Sequence, residues 1–252
     1  MEQWQKDQYF MTALLPRFKR RLEEAQNALK QAIKTCRNPA VSFSFGKDSL
    51  VCVDIARQIK PDILIINIDR GQGGDLEEAV EMYDNYAQKY KLNYHRVKTP
   101  KEIFEIYREA GGLSNIKREI LKNNLMAGIK KAINEFDIDC LIFGLRGEES
   151  LGRKYSGKYG LFYFSKTEEI WKCRPVFGWK GEDVWAYIIS HDLPYLRWYD
   201  LEAPFVGYER ARYSNWAGIY QIERGRFVRL KKNYPKEFNL LCSIFPEVSM
   251  FC

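Results

Sequence analysis

The sequence predicts an α/β protein: an open, mostly parallel twisted sheet flanked by helices, with an N-terminal helix and an irregular basic, aromatic C-terminal region. Three observations predict it. Short strand-like runs at 40–45, 63–68, 92–97 and 140–144 alternate with stretches of helical periodicity. Gly or Pro-Asp turns punctuate the joins. The strand-to-strand spacing leaves room for a crossover helix each time, as parallel pairing requires.

Taken in order, residues 5–35 place Leu14, Leu15, Phe18, Leu22, Ala25, Leu29 and Ile33 at three- and four-residue steps, with Pro16 as a break. Asn38-Pro39 ends that segment, and AVSFSF (40–45) reads as a buried strand leading through a glycine turn into a helix over 48–59. Pro61-Asp62 turns into ILIINI (63–68), and the glycines of 71–74 open a helix over 75–90. LNYHRV (92–97) is a third strand, helices cover 101–110 and 115–136, and CLIFG (140–144) is a fourth strand. Residues 145–174 read as loops with a hairpin around LFYF (161–164), a helix follows at 181–191, and 192–252 shows little periodicity. The expected division is a helical segment over 1–37, a nucleotide-binding domain over 38–205 and a basic extension over 206–252.

The chain has 252 residues, 46% hydrophobic and 29% charged, which excludes disorder and fibrous repeats. No run approaches the roughly 18 apolar residues of a membrane span, and MEQWQKDQYF lacks the order of a signal peptide. A soluble cytoplasmic protein with no membrane partner is expected. The cysteines (36, 52, 140, 173, 242, 252) form no close pair, so neither zinc nor an iron–sulfur cluster is expected. The net charge of +7 suits nucleic acid, an anionic small molecule or a solvated surface.

Ligands of open parallel sheets bind beyond the carboxyl ends of the strands. Ser44-Phe45-Gly46-Lys47-Asp48-Ser49 sits at one such end. Gly46 would let backbone N–H groups approach an anion, Ser44 and Ser49 add hydroxyls, Lys47 adds charge, and a helix N-terminus favours phosphate. The same residues also suit a plain turn capped by Asp48 or Ser49. The second end is Asp69-Arg70-Gly71, which equally suits a strand-ending turn. The third, Gly144-Leu145-Arg146-Gly147-Glu148-Glu149-Ser150-Leu151-Gly152-Arg153, offers two guanidinium forks for a polyanion. Residues 152–159 nearly spell a P-loop, but Tyr159 stands where Ser or Thr must bind the metal, so that reading is rejected.

The first segment resembles the PP-loop of the adenine nucleotide α-hydrolase (PP-loop ATP pyrophosphatase) superfamily, and Phe45 suits its PAPS reductase-like branch. Asp69 and Gly71 are similar to that family's Asp-Thr-Gly, with Arg70 in place of the threonine. The third segment is similar to its G-x-R-x-x-E-S-x-x-R, with Gly144, Arg146, Glu149, Ser150 and Arg153 in register. Pro175, Trp179, Asp183, Val184, Trp185, Tyr187 and Ile188 match a further family segment read as packing. The resemblance implies a Rossmann-like PP-loop fold and ATP or PAPS as ligand. Lys47, Arg146 and Arg153 would serve in catalysis. Ser44, Phe45, Gly46, Lys47, Asp48, Ser49, Asp69, Gly71, Gly144, Glu149 and Ser150 would bind the nucleotide, and Asp48 and Asp69 would bind Mg²⁺.

The reductases' Glu-Cys-Gly-Leu-His is absent from this sequence, which favours cleavage of ATP between its α and β phosphates to an adenylated intermediate or AMP plus pyrophosphate, in sulfur transfer or nucleic-acid modification. The alternatives are a thiol-dependent PAPS reductase using Cys252 and a non-catalytic nucleotide sensor with a ParB-like partner. Residues 206–232 carry Arg210, Arg212, Arg224, Arg226, Arg229, Lys231 and Lys232 among aromatics, which suits either a nucleic-acid strand or a wall around a sulfonucleotide. His95 and His191 are read as structural.

Overall fold

The computed structural model describes residues 1–213 and 226–251. Arg224 and Cys252, which the sequence reading weighed, lie outside the described residues.

Helix α1 (Gln3–Leu14) ends where Leu15 turns extended, and Pro16 starts α2 (Pro16–Thr35) at the position where its missing N–H costs nothing. Strand β1 (Pro39–Ser42) leads to α3 (Lys47–Ile59), β2 (Leu64–Asp69), α4 (Glu77–Lys89) and β3 (Asn93–Lys98). Helices α5 (Ile103–Glu109) and α6 (Arg118–Glu135) precede β4 (Cys140–Phe143). A short helix α7 (Leu151–Tyr155), the hairpin β5 (Phe162–Ser165) and β6 (Ile170–Cys173), then α8 (Gly181–Ser190), α9 (Trp198–Val206), α10 (Arg226–Asn233) and α11 (Pro235–Ile244) complete the described chain.

The sheet order is β3-β2-β1-β4-β6-β5. β1 runs parallel to β2 and β4, β4 runs parallel to β6, and β5 pairs antiparallel with β6. The central strands are buried through almost their whole length, as strands covered by helices on both faces must be. The sheet's carboxyl end therefore collects the residues after β1, β4 and β6.

By Cα proximity the chain forms two compact units. The first is Met1–Asn67, Met82–His95 and Ala132–Tyr213. In it α1 lies on α8, with Tyr9 and Trp185 6.2 Å apart. Trp179 and Trp185 are buried, and Trp185 donates to the Tyr208 carbonyl at 2.7 Å, consistent with a packing role. His95 lies in β3, and His191 caps α8 against Tyr187. The second unit is Ile68–Glu81, Arg96–Lys131 and Ser214–Cys252, of which 214–225 and 252 are not described. Its core sets Phe245 edge-on to Phe104 and Tyr107, at 5.6 and 6.0 Å.

Two expectations are corrected. The C-terminal region, 206–252, is not wholly irregular: α10 and α11 occupy about half of its described part, and α9 leads into it. Each is only eight to ten residues long and carries two or three buried anchors, such as Phe227 and Leu230 in α10. A period of 3.6 does not register over so few apolar positions. β1 ends at Ser42 rather than 45, because Phe45 takes a left-handed conformation (φ 58°) that no strand continues.

Candidate functional site

The turn after β1 is built differently from what its glycine suggests. Gly46 has an ordinary φ of −86° and serves as N-cap of α3, while Phe45 supplies the left-handed residue. That conformation costs a bulky residue about 1–2 kcal/mol, which burial of its ring offsets. The Phe45 ring is fully buried, stacked on Tyr83 at 5.0 Å and edge-on to Phe43. Expected as a nucleotide-binding side chain, Phe45 is a core residue that shapes the turn.

Ser49 is also turned inward. Its hydroxyl donates to the Gly46 carbonyl (2.9 Å) and accepts from the Ser44 N–H (3.2 Å), which ties the turn closed. Ser44 is exposed, with its Oγ 3.2 Å from that of Ser49, and is the hydroxyl open to a ligand.

Lys47 is 1% exposed. Its ammonium donates to the Ala211 carbonyl (2.9 Å) and lies 3.3 Å from Asp48, and its backbone N–H donates to the Tyr199 hydroxyl (2.9 Å). Burial pushes its pKa down, with help from Arg146 and Arg212 and against the pull of Asp48. Lys47, expected to contact phosphate, lies beneath the surface in this structure. Burial of Asp48 opposes its charge, but Lys47 and Arg146 outweigh that and hold its carboxyl below the usual range.

The turn after β4 docks on this one through Gly144. A Cβ there would stand 2.5 Å from the Ser49 nitrogen and 2.6 Å from the Asp48 carbonyl carbon, so only glycine lets β4 close on the first turn of α3. Arg146, 2% exposed, pairs through Nε with Asp48 and through Nη1 with Glu148, and Nη2 lies 3.8 Å from Glu149. It cannot offer a free fork to a ligand, so it too is a buried positioning group. Ser150 caps α7, accepting the Arg153 N–H at 3.2 Å.

Glu149 gathers the remaining cations. Arg153 pairs with it directly, and Arg212 lies 3.6 Å from its carboxylate while donating to its carbonyl at 3.3 Å. Arg153 and Arg212 are 38% and 48% exposed, so these are the forks that face outward. Desolvation, then the neighbouring Arg212, lowers the Arg153 pKa. Four cations thus surround three carboxylates, with two half-exposed forks above a buried ionic base.

The structure brings together the first and third sequence motifs. Asp69 and Gly71 belong to the other compact unit. There Gly71, at φ 63°, donates to the Asp69 carboxylate (2.9 Å), which also pairs with Arg96 (3.3 Å). Asp48, expected as a metal ligand, has both carboxylate oxygens paired in this structure: Arg146 takes one and Lys47 the other. Among the described residues no group of three or more His, Cys, Asp or Glu is arranged to hold an ion, whereas a Mg²⁺ carried by nucleotide phosphates needs only one or two carboxylates. Tyr199 and the Ala211 carbonyl were missed; no local pattern marks them, since each reaches Lys47 from more than 150 residues away. Arg212 was visible only as one cation of a basic segment.

Residues 38–213 match the family model for the phosphoadenosine phosphosulfate reductase domain, about two thirds of the chain. The chain belongs to this family. As a reductase-family domain it is 32% identical over 168 residues to a phosphoadenosine 5′-phosphosulfate reductase of Xanthomonas axonopodis pv. citri, covering 63% of this chain and 65% of the relative. It thus spans slightly less than two thirds of that relative's length. It is 31% identical over 192 residues to an adenosine 5′-phosphosulfate reductase of Staphylococcus epidermidis, covering 73% of this chain and 74% of that one. Among solved structures it resembles the phosphoadenylyl-sulfate reductase of Candida auris in its phosphate complex (TM-score 0.57, 21% identity, 80% of this chain and 92% of that one), a likeness of fold. No helix among the described residues is long and apolar enough to cross a membrane.

Proposed function

We propose that this reductase-family domain binds an adenine nucleotide by its phosphates beyond β1 and β4 and cleaves ATP between the α and β phosphorus atoms. An acceptor oxygen attacks the α-phosphorus, the bond to the bridging oxygen breaks, and pyrophosphate leaves while the acceptor's proton passes to solvent. The observation that carries this reading is the arrangement of Arg153 and Arg212 over Glu149, above the buried Lys47–Asp48–Arg146 chain.

Such a site does its work by charge. The ligand's phosphates displace Glu149 from Arg153 and Arg212, and Ser44 donates a hydrogen bond. Lys47 and Arg146 stabilise developing negative charge from a buried, preorganised position. A fixed cation in a partly desolvated site stabilises a transition state more than a solvated one does. Family membership supports the adenine nucleotide.

The relatives' names favour a second reading, reduction of a sulfonucleotide by a thiolate. Burial pushes the thiols of Cys36, Cys52, Cys140 and Cys173 up, Cys173 to about 12, which disfavours these four as the nucleophile; Cys252, the thiol of that reading, lies outside the described residues. Pyrophosphate release from ATP with candidate acceptors tests the first reading. Sulfite release from PAPS with thioredoxin and no pyrophosphate from ATP would replace it with the second. Tight nucleotide binding with neither product would favour a sensor that acts through a partner, such as a ParB-like protein.

A further inference from the structure

We propose that the surface formed by α7, the following 3-10 turn (Ser156–Tyr159) and β5 binds single-stranded nucleic acid, its tyrosines stacking on bases and its lysines on the backbone. This inference does not rest on the nucleotide reading, because strand binding is measured without nucleotide.

The argument begins with composition. Residues 151–166 hold four cations (Arg153, Lys154, Lys158, Lys166) and no acid, together with five aromatic residues. A stretch with that composition could have folded its rings inward. Instead Tyr155 and Tyr159 are 77% and 52% exposed, and Leu151 joins them at the surface. Leu151 and Tyr155, four residues apart on α7, share one helix face, and a contiguous exposed apolar patch marks an interaction surface. The cations around them choose its sign: charge complementarity calls for a polyanion.

The Tyr159 ring is held, not loose. Tyr159 stacks on Tyr163 at 5.3 Å, and the Lys158 ammonium lies 5.2 Å from the Tyr159 ring centre. Arg174, at the carboxyl end of β6, sits 4.9 Å from Tyr163 and 4.1 Å from Phe177. Its guanidinium donates to the Ser156 hydroxyl (2.8 Å) and to the Ser156 and Gly160 carbonyls (3.1 and 2.6 Å). A buried arginine thus pins both ends of the 3-10 turn beneath the exposed tyrosines. A preformed aromatic platform loses little conformational freedom on binding.

Stacked rings flanked by lysines fit unpaired bases, whose faces are available, and do not fit a duplex, whose faces are used. An anionic lipid surface would share the lysines and accept the tyrosines, but it calls for an amphipathic helix with an extended apolar face, and α7 has only five residues. Arg153 lies on α7 itself and pairs with Glu149, so a strand laid along this surface runs to the rim of the phosphate site.

The test uses the full chain and fluorescein-labelled oligo-dT and oligo-U of about 15 nucleotides, read by anisotropy over a salt series. Tyr155→Ala and Tyr159→Ala are each expected to weaken binding roughly 5- to 150-fold, the loss of one base–aromatic stack. Lys154→Gln with Lys158→Gln is expected to make the log–log salt slope shallower by about 1.4. Tyr155 is exposed enough that its variant should keep the wild-type melting temperature, and that measurement accompanies the binding curve. Two results would overturn the proposal: tyrosine variants that bind the strand like wild type, or tighter binding to a duplex or to phosphatidylserine vesicles than to the single strand.

Discussion

Replacing Gly144 with alanine should damage this protein far more than replacing Gly46, although Gly46 lies in the more conspicuous motif. At Gly144 a Cβ would meet the Ser49 nitrogen, the Asp48 carbonyl carbon and the Asp48 oxygen at 2.5, 2.6 and 2.7 Å. The closest of these lies about 0.9 Å inside ordinary contact at 3.4 Å. All three are backbone atoms, and the helix they open is buried from Ser49 through Ala56, so neither side can yield as a flexible side chain would. Overpacking of this kind costs about 1–3 kcal/mol, and the rigid neighbours place it near 3. For a chain of this size that lowers Tm by roughly 6–12 °C. The same push separates Asp48 from Arg146, so the thermal stabilisation by ATP should shrink as well. At Gly46 a Cβ would meet only the Ser44 and Tyr199 oxygens at 3.7 and 3.8 Å, with φ at −86°, so Gly46→Ala should stay within about 1 kcal/mol of wild type. Urea denaturation and thermal melts of both variants decide the matter. A Gly144→Ala protein within about 0.5 kcal/mol of wild type would refute the reasoning.

Three further outcomes are expected. Tyr199→Phe strands the buried Lys47 N–H and should cost about 1–3 kcal/mol by urea denaturation, with the fold otherwise retained. Asp48→Asn should cost about 3 kcal/mol at neutral pH, because it leaves Lys47 and Arg146 without their shared carboxylate. It should also flatten the acid limb of stability: the folded carboxyl titrates below its ordinary 3.8, so its contribution is full above about pH 5 and lost as pH falls through the depressed value. Stability against pH for both proteins reads this directly. Iodoacetamide near pH 8, followed by mass spectrometry, should leave Cys52, Cys140 and Cys173 unmodified in the native protein and modify all three in denaturant, because burial suppresses both access and thiolate formation.

The α/β class, the order of the first four strands and the turn–helix after β1 were legible because each is written locally. Periodicity, a Pro at a helix start and a glycine after a strand act within a few residues of themselves. The docking of the first and third motifs was legible only by resemblance; its physical cause, the missing Cβ of Gly144, appears when β4 and α3 meet. The short helices α9 to α11 stayed hidden because each carries only two or three buried anchors, too few to register a helical period.

The sequence by itself determined that Ser44, Lys47, Asp48, Arg146, Glu149 and Arg153 stand at strand ends where a phosphate could bind. Only the tertiary structure decided which of them face it. Lys47 and Arg146 are turned inward by the Ala211 carbonyl and Asp48, Phe45 by Tyr83, and the outward forks fall to Arg153 and Arg212. The reason is physical: position along a strand is set by local backbone geometry, whereas burial and the pairing of charges depend on what the rest of the chain brings alongside.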